Sequence, residues 1–357
     1  MSERPGGRES ERAPSGPAPK APRAGHIEPE GRPPASPPVL AVVVTHGRHP
    51  ERFDELLRAL ARQDYPRLFV LVVDAAGGDD PTERVRARLP TARVIRVPPN
   101  VGFAGAANLV LHPGLPRARR AAYFLFCRDD VAPDPDAVTG LVDAAEEWQA
   151  GVVGPKFVAR DDPRRLLAVG LAVDRVGTTL PLVERRELDQ GQHDRRREVF
   201  AVTAGFTLVR ARRFRELGGF DPAIDGLSRR DGRDGPDDDL ILCWRARAAG
   251  ARVLVAPDAR VRPDEVPAAA AGPGAAGRQA RHRLRALLGC SSRLGLIRVL
   301  PKALALSLAQ AAWGLATLRP ARARAALGAW VWNLVRPLSL WRARRTLNRV
   351  RRVPDRE

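Results

Sequence analysis

The stretch Tyr123-Phe124-Leu125-Phe126-Cys127-Arg128-Asp129-Asp130 decides the fold, because it is an apolar run that ends in two adjacent carboxylates. Aromatic and aliphatic residues in such a run are typical of a strand covered on both faces. The prolines in 131–136 break the strand, and Ala137 onward predicts a helix. Adjacent carboxylates repel each other, and a bound Mg²⁺ or Mn²⁺ is the usual way to offset that repulsion. The alternative is a solvated turn, which Asp and Pro favour in any protein.

Strands and helices alternate around this stretch. Apolar runs and helical spacing predict strands at 39–45, 68–74, 93–97, 152–155, 204–209 and 252–256, and helices at 51–63, 81–89, from 100–108 onward and at 240–249. The alternation predicts an α/β fold in which helices flank a mostly parallel sheet. Open sheets of this kind bind ligands at the carboxyl ends of their strands, which favours a ligand site at Asp129 and Asp130.

Composition limits the possible partners. The chain has 357 residues, 44% of them hydrophobic, with a formal net charge of +19. A core of good size is therefore expected, together with attraction to a membrane surface, a nucleic acid or a phosphorylated substrate. No nucleic-acid-binding motif is recognisable, so nucleic acid is not expected. The widely spaced Cys127, Cys243 and Cys290 form neither a metal pattern nor a disulfide framework, which favours a reducing cytoplasm.

The sequence divides into four segments. Residues 1–38 are rich in Pro, Gly, Arg and Glu and lack the apolar core of a secretory signal, so we expect a disordered tail. Residues 39–265 hold the α/β pattern, and 266–277 form an Ala/Gly/Pro linker. Residues 278–357 predict a basic, Trp-containing helical extension.

The extension has features of a membrane-surface segment. Ala303 to Leu318 is apolar, but it has only roughly three-quarters of the ~20 residues needed to span a bilayer. Trp330, Trp332 and Trp341 lie among arginines, a combination that suits the headgroup region of an anionic membrane. The equally open alternative is a pair of helices packed on the catalytic domain, with arginines in solvent.

Four motifs between residues 39 and 263 together resemble the family 2 glycosyltransferases of the GT-A fold. They are Val42-Val43-Val44-Thr45 with Leu71-Val72-Val73-Asp74, Asn100-Val101-Gly102-Phe103-Ala104-Gly105-Ala106-Ala107-Asn108, Arg128-Asp129-Asp130, and Gly218-Gly219-Phe220-Asp221 with Asp237 to Arg245. The resemblance implies a glycosyltransferase. With the cysteine pattern and the basic C-terminal region, we expect a cytoplasmic enzyme, peripheral at the inner face of the cell membrane. It would move a sugar from a nucleotide diphosphate sugar (UDP- or dTDP-) to a hydroxyl of a glycan or lipid-linked acceptor, with inversion, in cell-envelope synthesis.

The resemblance also implies a nucleotide-sugar site. Asp74 would accept a hydrogen bond from the base and Thr45 would line the same pocket, although Asp74 is equally consistent with a turn acid. Small residues would let the backbone approach the nucleotide. The implied nucleotide-sugar-binding residues are Thr45, Asp74, Asn100, Gly102, Asn108 and Asp129. Ala75 to Gly78 replaces the Asn and small polar turn that the family often has here.

A metal site follows from the same resemblance. The first acid of the family's Asp-x-Asp signature falls on Arg128, the middle one on Asp129 and the final, metal-contacting one on Asp130. A Mg²⁺ or Mn²⁺ ion at Asp130 and Asp129 would bridge the two phosphates and neutralise the leaving diphosphate. Arg128 itself would then supply part of that positive charge.

The family's Glu-Asp pair falls on Asp238 and Asp239, and the second acid acts as general base on the acceptor hydroxyl in inverting relatives. Simple capping of the helix that follows is the alternative. The implied acceptor-side residues are Gly205, Gly218, Gly219 and Asp221.

Two departures from the family pattern keep other functions open. A later acid of the same helix falls on Ile241, and a His after the last strand falls on Pro263. With Arg128, these favour an alternative function, that of a catalytically decayed, membrane-associated protein that binds nucleotide sugars. A nucleotidyltransferase would need a Gly-rich, basic signature after the first strand, and Thr45-His46-Gly47-Arg48 is too sparse for one.

Overall fold

A computed structural model describes residues 36–99, 101–223, 238–264 and 275–354 of the chain. The strands are β1 Val39–Thr45, β2 Leu68–Asp74, β3 Arg93–Arg96, β4 Tyr123–Arg128, β5 Val131–Pro133, β6 Val152–Val158, β7 Arg165–Ala168, β8 Leu171–Val173, β9 Thr179–Pro181, β10 Glu187–Leu188, β11 Arg197–Glu198, β12 Phe206–Arg210 and β13 Val253–Pro263. The helices are α1 Pro50–Ala61, α2 Thr82–Arg86, α3 Phe103–Ala107, α4 Pro116–Arg120, α5 Ala137–Glu147, α6 Ala211–Leu217, α7 Asp238–Ala248, α8 Ala275–Cys290, α9 Arg293–Ala316, α10 Pro320–Leu334 and α11 Pro337–Val350.

The central sheet brings the carboxyl ends of three strands to one edge. Its strand order is β10-β7-β6-β12-β4-β1-β2-β3, in which β3, β2, β1 and β4 are parallel and β12 is antiparallel to β4. Thr45 lies opposite Asp74, and Val44 lies opposite Arg128. The predicted parallel sheet is therefore confirmed, and its edge carries the residues that the sequence motifs single out.

Side chains of each central strand alternate between two hydrophobic cores. In β1, Leu40 and Val42 belong to the core beneath α3, α6 and α7, whereas Ala41 and Val43 belong to the core beneath α1 and α5. Successive strand residues point to opposite faces, so a strand buried on both faces is continuously apolar. This explains why β1 contains only apolar residues before Thr45.

The segment after β4 is more regular than the sequence predicts. Val131–Pro133, where the prolines predict only a break, forms β5 and pairs antiparallel with the end of β13. A bulge between Ala256 and Arg260 carries β13 onward from its pairing with the first half of β6, so the strand extends to Pro263 instead of ending near residue 256. Proline is tolerated at such a short edge pairing because few ladder bonds need its missing N–H.

The C-terminal helices continue the core of the sheet domain. Ala286 and Cys290 of α8 and Leu347 of α11 are buried in the core that contains α6 and α7. The backbone N–H groups of Arg352 and Val353 both donate to the carbonyl of Ala248. The extension is thus packed against the sheet domain, as the second of the two interpretations of the sequence expected.

Helices α9 and α10 pack against each other through small residues. Ala303, Ser307, Ala311 and Gly314 are the buried positions of α9, and Trp330 of α10 donates its indole N–H to Ser307 Oγ at 3.1 Å. Helix α9 starts ten residues before the apolar stretch 303–318 and has 24 residues. Within the described parts of the chain it is the one helix long and apolar enough to cross a bilayer, with 17% of its most apolar window buried.

Candidate active site

Asp129 is held at the end of β4 by the neighbouring strand β1. Its Oδ2 accepts hydrogen bonds from Thr45 Oγ1 at 2.8 Å and from the backbone N–H of His46 at 3.2 Å. Thr45 Oγ1 in turn accepts from the N–H of Gly47 at 3.1 Å. The structure therefore brings together Thr45 and Asp129, two of the predicted nucleotide-site residues.

Asp130 is bound by an arginine from its own motif. Arg128 donates through Nε to Asp130 Oδ1 at 3.1 Å and through Nη2 to Oδ2 at 2.6 Å, so both carboxylate oxygens are engaged by one guanidinium fork. Asp130 is 5% exposed. Paired acids with this spacing suit a divalent cation only if their oxygens can face it.

The described residues do not fit the predicted cation at Asp129 and Asp130. No three His, Cys, Asp or Glu side chains within the described ranges are grouped closely enough to hold a metal ion. Both oxygens of Asp130 and one oxygen of Asp129 already accept hydrogen bonds from protein groups. The metal-binding role of these two residues stays a prediction.

Asp239 lies at the start of α7 and is 2% exposed. Thr207, on β12, donates its hydroxyl to Asp239 Oδ2 at 2.6 Å. Burial raises the pKa of Asp239 to about 6, while the Thr207 hydrogen bond and the charge of Arg128 act in the lowering direction. A carboxylate with this pKa is ionised at neutral pH and is more basic than an exposed aspartate.

Arg128 is the link between the two acids. Its guanidinium binds Asp130 and also acts electrostatically on Asp239. Its backbone N–H donates to the carbonyl of Gly205 at 2.9 Å, and Gly205 has a left-handed φ of +124° that disfavours any other residue. Thr207, which binds Asp239, lies opposite Phe126 of β4, so Asp239 lies beside the strand that ends at Arg128.

Asp74 is a buried turn acid in the structure. Its Oδ1 accepts from the N–H of Ala76 at 2.9 Å, and its Oδ2 accepts from Arg96 Nε at 3.0 Å. Arg96 also donates to the carbonyl of Gly78 at 2.5 Å. Asp74 thus organises the Ala75–Gly78 turn beside Thr45, and its contact with a base stays a prediction.

Asn108 holds the glycine turn that precedes Asp221. Its Nδ2 donates to the carbonyl of Phe220 at 3.0 Å, and its Oδ1 accepts from the N–H of Phe220 at 2.9 Å. Gly218 and Gly219 both have φ near +75°, and a Cβ on Gly219 would lie 2.3 Å from Asn108 Oδ1. Both polar atoms of Asn108 serve this turn, while its predicted nucleotide contact stays a prediction.

Asp221 connects the same turn to the C-terminal extension. Arg285 of α8, which is 1% exposed, donates to its two carboxylate oxygens at 2.9 and 3.3 Å. Arg245 of α7 donates to the carbonyl of Gly219 at 3.0 Å. The predicted acceptor-side residues Gly218, Gly219 and Asp221 are thus gathered in one turn, fixed from two helices.

The remaining predicted residues divide into described and undescribed ones. Gly102 is buried and precedes the first turn of α3. Asn100 lies outside the described residues, as does the side chain of Asp238, whose backbone begins α7. Ile241, where the family has a later acid, is buried in the core.

Two residues of the site are missed by sequence reasoning. Arg160, just after β6, donates to the carbonyls of Asp130 at 3.1 Å and Pro263 at 3.2 Å and so fixes the loop that carries the acids. Nothing in its neighbourhood in the sequence indicates these contacts, which span 30 residues to Asp130 and 103 residues to Pro263. Thr207 did give a signal, since it is the one polar residue in the buried run Phe206 to Val209.

Comparison with solved structures finds similar proteins. The crystal structure of GalNAc-T7 with UDP, GalNAc and Mn²⁺ is similar at a TM-score of 0.52 and 12% identity, over 71% of this chain and 48% of that one. The chain thus spans about half the length of that protein. The crystal structure of TarS from S. aureus matches at a TM-score of 0.46 and 16% identity, over 76% of this chain and 42% of that one.

A search of curated proteins gives no match. The family described as "Glycosyltransferase like family 2" matches residues 37–281, which is more than half of the chain and includes every motif discussed above. Its fold is the GT-A fold, with a mostly parallel sheet and a C-terminal helical region. The chain belongs to glycosyltransferase family 2.

Proposed function

We propose that this glycosyltransferase transfers a sugar from a nucleotide diphosphate sugar to an acceptor hydroxyl with inversion, and that Asp239 is the general base. The observation that carries the proposal is the environment of Asp239, a buried carboxylate with a pKa of about 6 beside the acid-bearing edge of the sheet. A base of that strength is ionised at neutral pH and is still basic enough to take the proton from the acceptor hydroxyl during the attack.

The reaction is a single displacement. The acceptor oxygen attacks the anomeric carbon as its proton passes to Asp239, and the bond from that carbon to the diphosphate breaks with its electron pair leaving on the diphosphate. Thr207 binds Oδ2 of Asp239 and fixes the carboxylate, so Oδ1 is the oxygen that would accept the proton. Attack and departure on opposite faces of the carbon give inversion.

The donor would be seated at the edge formed by β1, β2 and β4. Thr45 and Asp129 are joined there, with Asp74 opposite Thr45 in the strand register. Asn100 and Gly102 would complete the nucleotide site at the start of α3. A UDP-sugar or dTDP-sugar is the donor class, and the presence of UDP in the GalNAc-T7 crystal structure is consistent with the first.

The C-terminal helices present a surface that suits an anionic membrane. Thirteen of the fifteen exposed large apolar side chains among the described residues lie on it, and we call them the outer helical surface: Leu294, Ile297, Leu304, Leu308, Trp313, Leu315, Leu318, Leu327, Val331, Leu334, Val335, Leu338 and Trp341. Residues 278–354 contain seventeen Lys and Arg residues and no Asp or Glu. Apolar side chains beside a segment of high positive charge match the interface of an anionic bilayer.

A cavity beside this surface supports a lipid-linked acceptor. It has a volume of about 340 Å³ and lies between residues 177–179 and the C-terminal helices, with Leu240 of α7 also in its wall beside Arg283, Trp313 and Arg322. Leu240 follows Asp239 in α7, and Trp313 belongs to the outer helical surface. We infer a peripheral enzyme at the inner face of the cell membrane, acting on a glycan or lipid-linked acceptor in cell-envelope synthesis.

The Asp239→Asn variant tests the proposal. An amide keeps the shape of the side chain but cannot take up the proton, so transfer should fall by about 10²–10⁴-fold while nucleotide affinity is unchanged. Release of nucleotide diphosphate from UDP- and dTDP-sugars, with envelope lipids and glycans as acceptors, measures transfer. Calorimetry measures nucleotide affinity.

The matched control is Asp143→Asn, since Asp143 is exposed on α5. That variant should transfer at the wild-type rate. Wild-type turnover by the Asp239→Asn variant would contradict the base assignment. A wild-type protein that binds the nucleotide but turns over no sugar would instead favour the non-catalytic nucleotide-sugar-binding function.

A further inference from the structure

We propose that Arg128 takes the place of the divalent cation in this chain, so that its guanidinium supplies the positive charge opposite the diphosphate. The inference rests on the proposed function, because it concerns the donor of that same reaction. Its starting observation is that the residue in the first position of the Asp-x-Asp signature is an arginine that binds the last acid of the same signature.

The geometry is that of a guanidinium fork on a carboxylate. Nε and Nη2 of Arg128 approach the two oxygens of Asp130 at 3.1 and 2.6 Å, and the two side chains are 18% and 8% exposed. Such a pair is strong and directional. A guanidinium is also the group that proteins commonly use to bind phosphate. A cation at Asp130 would have to displace this fork.

The charges also balance. Replacing an acid by an arginine at position 128 changes the local charge by two positive units, which is the charge that a divalent ion would add. The guanidinium lies on Asp130 at the end of β4, and the neighbouring strand β12 carries Thr207, which binds the proposed base Asp239. One fixed positive charge there stabilises the negative charge that develops on a leaving diphosphate.

The backbone around Arg128 fixes this arrangement. The Arg128 N–H is bonded to the Gly205 carbonyl, and a Cβ on Gly205 would lie 3.6 Å from Arg128 Cδ, so the arginine stem runs along the glycine. Across the loop, Arg160 donates to the carbonyls of both Asp130 and Pro263, and the N–H of Asp264 donates to Asp130 O at 3.0 Å. These hydrogen bonds join the loop of Asp130 to the end of β13 at Pro263. The family often has a histidine at the position of Pro263.

The experiment is a nucleotide titration with and without metal. UDP and dTDP are titrated calorimetrically into the full-length protein, once with EDTA and once with Mn²⁺. We expect the Kd of the preferred nucleotide to differ by less than about threefold between the two conditions. Electron paramagnetic resonance of Mn²⁺ without nucleotide should show no tight binding to the wild-type protein.

Three variants distinguish the effect of the positive charge at residue 128 from an effect on folding. Arg128→Asp should weaken nucleotide binding in EDTA by at least about tenfold and recover it in Mn²⁺, because it restores an acid at the first signature position. Arg128→Lys keeps the charge without the fork and should gain nothing from Mn²⁺. Arg164→Asp, whose side chain is 79% exposed on the catalytic domain, is the matched control and should match the wild type.

The outcomes are distinct. Nucleotide binding by the wild type that is at least about tenfold tighter with Mn²⁺ overturns the inference and leaves the proposed function standing. Binding of neither nucleotide in either condition overturns the proposed function, and the inference with it. Circular dichroism melts show whether the Arg128→Asp variant folds, and if it does not, the wild-type and Arg128→Lys titrations decide.

Discussion

Burial and one hydroxyl act in opposite directions on the pKa of the proposed base, Asp239. Thr207 is fully buried on β12, and its hydroxyl is bound to Asp239 Oδ2. Burial alone favours the neutral acid, and the hydrogen bond to the carboxylate opposes it. The balance places the pKa of about 6 within the range in which a base is both ionised and effective.

The Thr207→Val variant should shift the pH dependence of transfer to more alkaline values. Asp239 must be ionised to act, so kcat/KM should rise with pH through the pKa of about 6 in the wild type. Without the hydroxyl the charged form loses its hydrogen bond, the pKa rises, and the rising limb should move up by about one pH unit. A pH profile of kcat/KM for both proteins measures this.

Thr203→Val is the control for that experiment. Thr203 is also buried, and its hydroxyl has no hydrogen-bond partner within the described part of the chain. Removing the Thr203 hydroxyl should leave the pH profile of kcat/KM unchanged. If the profile of the Thr207→Val variant rises at the same pH as that of the wild type, a group other than Asp239 titrates.

At the scale of elements, the turn at 218–221 joins three parts of the chain. Asn108 binds its backbone from one side, Arg245 of α7 from another, and Arg285 of α8 forms a buried ion pair with Asp221. A buried pair is costly to break from one side, because the partner is then left charged without compensation. Helix α8 therefore contributes to the stability of the catalytic domain.

The Arg285→Met variant should destabilise the whole protein by about 3–5 kcal/mol, since it leaves Asp221 buried without its cation. The free energy of unfolding from denaturant titration measures the loss. Arg293→Met, at an exposed position of α9, should change the stability by less than about 0.5 kcal/mol. Equal stability of the two variants would mean that α8 is held to the domain by other contacts.

The elements also show how far the sequence could be interpreted. β1 and β2 have the predicted bounds, because each is an apolar run closed by a polar residue at the sheet edge. β5, the bulge of β13 and the extra ten residues of α9 were missed, because they depend on pairing or packing partners far along the chain. The site shows the same limit. The motifs bring Thr45, Asp129, Asp130 and Asp239 to one edge, whereas the guanidinium fork and the Arg160 contacts require the folded backbone.

At the scale of the whole molecule, charge and apolar surface are concentrated at one end of the sequence. Residues 278–354 carry a charge of +17, nearly all of the chain's formal net charge of +19. The same helices hold the outer helical surface. Exposed large apolar side chains that are concentrated in one part of a chain mark an interaction surface.

The protein should bind anionic vesicles through this surface. The protein should sediment with phosphatidylglycerol vesicles. It should stay in the supernatant with neutral phosphatidylcholine vesicles or at high salt. Replacing Arg298 and Lys302 together by Gln should weaken binding by about tenfold or more, at about 1 kcal/mol for each charge. Arg164→Gln, on the catalytic domain, should bind as the wild type does. Equal retention on neutral and anionic vesicles would refute an electrostatic contribution.

The ion pair between Arg285 and Asp221 has one more consequence. Because it locks the extension to the turn beside the catalytic edge, the enzyme could not swing on a flexible tether while anchored to lipid. Its reacting centre would stay at a constant height above the headgroups. The enzyme would then accept only hydroxyls that a lipid or glycan chain presents at that distance from the membrane.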